Sequence, residues 1–100
     1  MKLLNLVDLK EFDPQSHVKK ELKVTENFKM LTICFEPGQA VPPCIMERST
    51  AFYIVEGEGF ISAGGEEAAI SAGDLSFIES GQERQIRAKT RLVVLAIQYN

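Results

Sequence analysis

Turn-forming clusters recur at short intervals along most of this chain and interrupt any pattern long enough to be a helix. They read Thr25-Glu26-Asn27, Pro37-Gly38, Pro42-Pro43, Gly57-Glu58-Gly59, Gly64-Gly65, Ala72-Gly73-Asp74 and Ser80-Gly81. Between them lie short runs rich in β-branched and aromatic residues: Phe28 to Glu36, Ala51 to Glu56, Phe60 to Ala63, Leu75 to Ile78 and Arg91 to Tyr99. Such side chains fit a pleated surface, while glycine, proline, asparagine and aspartate supply the reversals. The pattern predicts an all-β, antiparallel sandwich or barrel, not alternating β and α units. Gly64-Gly65 marks a hairpin, because both positions tolerate positive φ.

The strands themselves alternate. Leu31, Ile33 and Phe35 share one face, with Met30, Thr32 and Cys34 on the other. That second face is too apolar for free contact with solvent. In the last strand Val93, Leu95 and Ile97 stand against Val94 and Ala96, so both faces call for cover. No segment carries a sustained helical period with caps. Leu6 to Phe12 has room for one helical turn at most.

The 100 residues suit one domain, spanning 1–100, with 45% apolar residues to build a single core. A core of this size is thin, and association into a homodimer would add to it. The net charge is −3, with 11 basic and 14 acidic residues interspersed, so no basic patch invites nucleic acid. Lys19-Lys20 sits beside Glu21 and reads as a solvated strand face. The apolar start, Leu3-Leu4-Asn5-Leu6-Val7-Asp8, is too short for a signal peptide or a membrane span. A cytoplasmic location is expected, where Cys34 and Cys44 stay free thiols. Two cysteines and one histidine, His17 in a polar loop, are too few for a structural zinc site.

Two stretches resemble the paired motifs of the cupin superfamily. The first family motif is G-x5-H-x-H-x3,4-E-x6-G. Here Gly38 is followed by five residues, then Cys44, Ile45, Met46, three residues, Thr50, six residues and Gly57. The second is G-x5-P-x-G-x2-H-x3-N, and Gly73, Glu79, Gly81, Arg84 and Ala88 fall at its fixed positions. The likeness runs from Phe28 to Ile97 and includes Phe52-Tyr53-Ile54-Val55-Glu56-Gly57-Glu58-Gly59. It implies a cupin-type double-stranded β-helix, a jelly-roll barrel with its ligand site inside one end. Residues 28–97 would form the motif region and 1–27 an N-terminal strand and dimerisation segment.

The family's metal is held by two histidines and a glutamate of the first motif and a histidine of the second. Cys44, Met46, Thr50 and Arg84 occupy those positions, and none reproduces the family donor. Threonine is a poor ligand, and a guanidinium has no lone pair to give. No metal and no cofactor are therefore expected. Cys44 and Met46 leave open a soft-metal site, since sulfur favours copper(I) or zinc, but they also serve as adaptable apolar filling. Arg84, aimed into an apolar barrel, needs an anion. Glu47, Glu79 and Glu83 are candidate internal partners, and a bound acid is the other option. The candidate ligand site is thus Cys44, Met46, Thr50, Phe52 and Arg84. If Thr50 and Phe52 point inward, Tyr53 points out.

Three functions follow from this reading. The first is metal-independent binding of a small, anionic molecule. The second is a cupin enzyme of the isomerase, epimerase or oxygenase type, which would need Glu47 or Tyr53 turned inward, or a soft metal on Cys44 and Met46. The third is a dimeric sensor or structural module with a filled barrel.

Overall fold

Alternating apolar residues dictate a chain of strands, and the computed structural model, which describes residues 1–100, contains nine of them and no helix. They are β1 (Val18–Val24), β2 (Phe28–Phe35), β3 (Ala40–Ile45), β4 (Ser49–Glu56), β5 (Glu58–Ala63), β6 (Glu66–Ser71), β7 (Leu75–Ile78), β8 (Glu83–Ala88) and β9 (Leu92–Tyr99). A five-stranded sheet in the order β1-β2-β9-β4-β7 faces a four-stranded sheet in the order β3-β8-β5-β6, and the strand pairs with resolved register are all antiparallel. This is the double-stranded β-helix.

Register decides which residues meet inside. On the larger sheet Ile33 pairs with Val94 and Val94 with Ile54, while Leu31 pairs with Ala96 and Ala96 with Phe52. Those side chains pack with Ile61, Ile70, Ile86 and Ala88 of the opposite sheet into one core. Each large aliphatic side chain buried there stabilises the fold by about 1.5–3 kcal/mol. In β9 it is therefore Leu92, Val94 and Ala96 that face the core. Val93, on the outer face, is fully buried by something else.

The cover over that part of the outer face is the N-terminal segment. Lys20 donates to the Leu9 carbonyl at 3.2 Å and pairs with Glu11, and Lys10 pairs with Glu56 at 3.1 Å. Phe12 lies 4.4 Å beneath the Arg91 guanidinium, and the Gln39 amide donates to the Asp13 carbonyl. The helical turn allowed for Leu6 to Phe12 does not form. Asn5 instead accepts from the Val7 and Asp8 amides, which caps a plain turn. β1 joins β2 of its own chain as the edge of the larger sheet.

Two further expectations need correction. Pro42-Pro43 is not a turn between strands but lies within β3, at the edge of the smaller sheet. Proline lacks the N–H that a central strand must donate, so the pair is tolerated only where the ladder is already open. His17 is also not a solvated loop residue: it is half-buried, 5.7 Å from the Phe35 ring. Gly57 shows why the reversal after β4 uses glycine. Its φ is +92°, and a Cβ there would run into the Arg91 carbonyl.

Candidate functional site

The proline pair also positions the site. Val41 pairs with Ile86, but the next pairing is Cys44 with Arg84, so β3 carries one more residue than β8 over this stretch. A bulge of this kind re-aims the side chains beyond it. It sets Cys44 directly across from Arg84, on the face that lines the barrel. On β8 the alternation puts Arg84, Ile86 and Ala88 inward. On β4 it puts Thr50, Phe52 and Ile54 inward and leaves Tyr53 on the outside. The turn before β8 is tied to the turn before β4, since the Gly81 amide donates to the Met46 carbonyl at 2.8 Å.

Arg84 is only 4% exposed. Its Nε donates to the Gln82 carbonyl at 3.3 Å, one terminal nitrogen to Thr50 Oγ1 at 2.5 Å, and the other to the Glu79 carbonyl at 2.9 Å. It pairs with no carboxylate. Glu47 and Glu83 are exposed, and Glu79 supplies its main chain rather than its acid. Burial pushes the guanidinium below its ordinary pKa, and the Cys44 sulfur opposes this by favouring the charged form. The result is a buried cation held in place by neutral groups.

Beside it lies a cavity of about 60 Å³. Cys44, Met46, Thr50, Phe52 and Arg84 all line it. Lys19, Gln85 and Gln98 line it as well, and sequence reasoning did not find them. Gln98 pairs with Thr50 across β9 and β4, so correct strand pairing would have found it. The carbonyls of Glu79 and Gln82 have no signature in side-chain chemistry. A larger, open depression of about 370 Å³ lies elsewhere, lined by Phe60, Ser62, Glu67, Gln85 and Arg87. Its cation is already satisfied, because Arg87 stacks on Phe60 and pairs with Glu67.

The chain's sequence matches the family model described as "Cupin domain" over residues 31–98, more than half its length. The chain belongs to the cupin family. Solved structures agree on the fold of this cupin. It is similar to a protein of Thermus thermophilus at a TM-score of 0.94 and 24% identity, covering 99% of this chain and 97% of that one. It is similar to an RmlC-like cupin from Desulfovibrio desulfuricans at a TM-score of 0.90 and 27% identity, covering 99% and 96%. A cupin superfamily protein from Desulfitobacterium hafniense matches at 0.90 and 19%, covering 98% and 90%. No curated protein matches the chain.

The donors in this cupin do not fit the metal that the family implies. A guanidinium stands where a ligand is required, and it holds the Thr50 oxygen. Cys44 and Met46 supply two sulfurs, but no cluster of three histidine, cysteine or acidic side chains forms. Met46 Sδ instead faces the Gln98 amide at 3.8 Å.

Proposed function

We propose that this cupin binds a small anionic molecule at Arg84, without a metal. One observation carries the reading: a nearly inaccessible guanidinium borders a cavity, and its protein partners are two carbonyls and a hydroxyl. A buried charge without a counter-charge is costly, and a bound anion removes that cost. Catalysis has less support. No acid, tyrosine or histidine lines the cavity, and Tyr53 faces outward, so Cys44, Thr50 and Lys19 have no general base beside them there. The test is thermal unfolding with small acids and with neutral analogues of the same shape. Acids that raise the melting temperature, against analogues that do not, support the reading, and equal shifts overturn it.

A second copy of the chain is the partner that the surface favours. Beyond the N-terminal cover, the outer face of the larger sheet exposes Tyr53, Leu75 and Phe77, beside half-buried Leu95 and Ile97. The same chain leaves Met1, Leu3, Leu4 and Val7 exposed. Two apolar surfaces of one molecule cover each other most simply in a homodimer, with the N-terminal segment reaching the partner's β7 edge. A soluble, cytoplasmic setting is consistent with this reading, and no helix is long and apolar enough to cross a membrane.

A further inference from the structure

The guanidinium of Arg84 carries five N–H donors, and the protein claims three. Nε uses its single hydrogen on Gln82, and each terminal nitrogen uses one of its two, on Thr50 and on Glu79. One N–H is left on each terminal nitrogen. Two donors on adjacent nitrogens match the two oxygens of a carboxylate in a paired, parallel grip. The Thr50 hydroxyl accepts from Arg84 and keeps its own proton to give, so a third donor stands beside the pair.

The rest of the cavity narrows the ligand further. A volume of about 60 Å³ matches the liquid volume of about two waters, the space of a very short molecule. Ile33, Met46, Phe52 and Ile86 form apolar walls. A phosphate would turn its remaining oxygens towards those walls and lose their hydration without replacement. A short alkyl group suits them. The one other cation at the cavity, Lys19, is exposed, so a single negative charge balances the buried interior.

Resting on the anion-binding reading above, we infer that the ligand of this cupin is a short-chain monocarboxylate. Its carboxylate takes the two unclaimed N–H groups of Arg84, and its alkyl end lies against Phe52 and Met46. The test is thermal unfolding and calorimetry of the full chain with acetate, propanoate and butanoate at constant ionic strength. Propanamide, inorganic phosphate and octanoate serve as comparisons. Propanoate should raise the melting temperature, while propanamide, phosphate and octanoate should not. Arg84→Lys keeps the charge but loses the paired donors, and should weaken propanoate by about tenfold or more. Arg84→Met removes the charge and should abolish the preference for propanoate over propanamide, and Arg84→Lys keeps the test valid if that variant fails to fold. Phosphate binding without carboxylate binding overturns the ligand class and leaves the anion site standing. No response to any anion overturns both. Equal responses to propanoate and propanamide show that charge plays no part, and equal affinity in Arg84→Lys overturns the paired grip.

Discussion

Thr32 is 1% exposed, and its hydroxyl has no hydrogen-bond partner. It sits on the outer face of β2, between Lys20 and Leu95, beneath the N-terminal cover. An unsatisfied buried hydroxyl costs about 1–3 kcal/mol, and valine has nearly the same shape without it. Thr32→Val should therefore stabilise the fold by about 1 kcal/mol, or roughly 4–8 °C in melting temperature. A loss of stability would mean that the oxygen has a partner such as an ordered water. His17 bears on pH. Burial lowers its pKa below the ordinary histidine value of 6.5, and Lys19 lowers it further. Between the lowered folded value and 6.5 the unfolded chain binds more protons, so stability rises with pH across that window. This contribution is complete above about 6.5 and is lost as pH falls towards the folded pKa. Melting curves from pH 7.5 to 5 should show that decline, and His17→Phe should flatten it. An unchanged slope in the variant would assign the decline to other groups.

At the scale of strands, the meeting of β3 and β8 puts a buried cation at a position where the family has a metal ligand. The bulge at Pro42-Pro43 sets Cys44 across from Arg84, and Arg84 reaches over to Thr50 on β4. Two of the four positions that hold metal elsewhere in the family, Arg84 and Thr50, are thus joined by a hydrogen bond, and a third, Cys44, stands across the ladder. Elemental analysis of the purified protein is expected to find no stoichiometric iron, manganese, nickel, zinc or copper. Near one equivalent of any of these would overturn the expectation. If that metal then disappeared in Cys44→Ala, the sulfur pair would be its site. Thr50→Val should weaken the hold on Arg84 and cost about 1–3 kcal/mol, because one N–H of a buried cation loses its acceptor. Denaturant unfolding reads that change directly.

In the molecule as a whole, the larger sheet leaves a group of apolar side chains open at its β7 edge. Leu75 and Phe77 on β7 are 56% and 65% exposed, at the free edge of the larger sheet. An open, apolar edge strand invites pairing with another chain. Light scattering at micromolar concentration should report twice the 11.1 kDa chain mass. Removing residues 1–7, or making Phe77→Glu, should shift the species towards monomer without unfolding it. A monomer in the unaltered protein would overturn the dimer and leave the Arg84 cavity unaffected.

Much of this cupin was legible before folding, because local rules are enough where a strand has one buried side. The strand and turn pattern limited the fold to a sandwich or barrel, and the resemblance of residues 38–57 and 73–88 to the cupin motifs pointed to the barrel. The parity of Thr50, Phe52 and Tyr53 set which of them turn inward. Other features depend on segments far apart in the chain. Pro42-Pro43 looked like a turn until pairing with β8 showed an edge-strand bulge, a distinction that no short window contains. Lys19 and Gln98 reach the cavity from β1 and β9 through register alone. Glu47, Glu79 and Glu83 offer Arg84 carboxylates in the sequence, with a bound acid as the other option, yet the protein satisfies three of its donors with the carbonyls of Glu79 and Gln82 and the hydroxyl of Thr50. Every residue has a carbonyl, so only the tertiary structure decides which ones a buried cation meets.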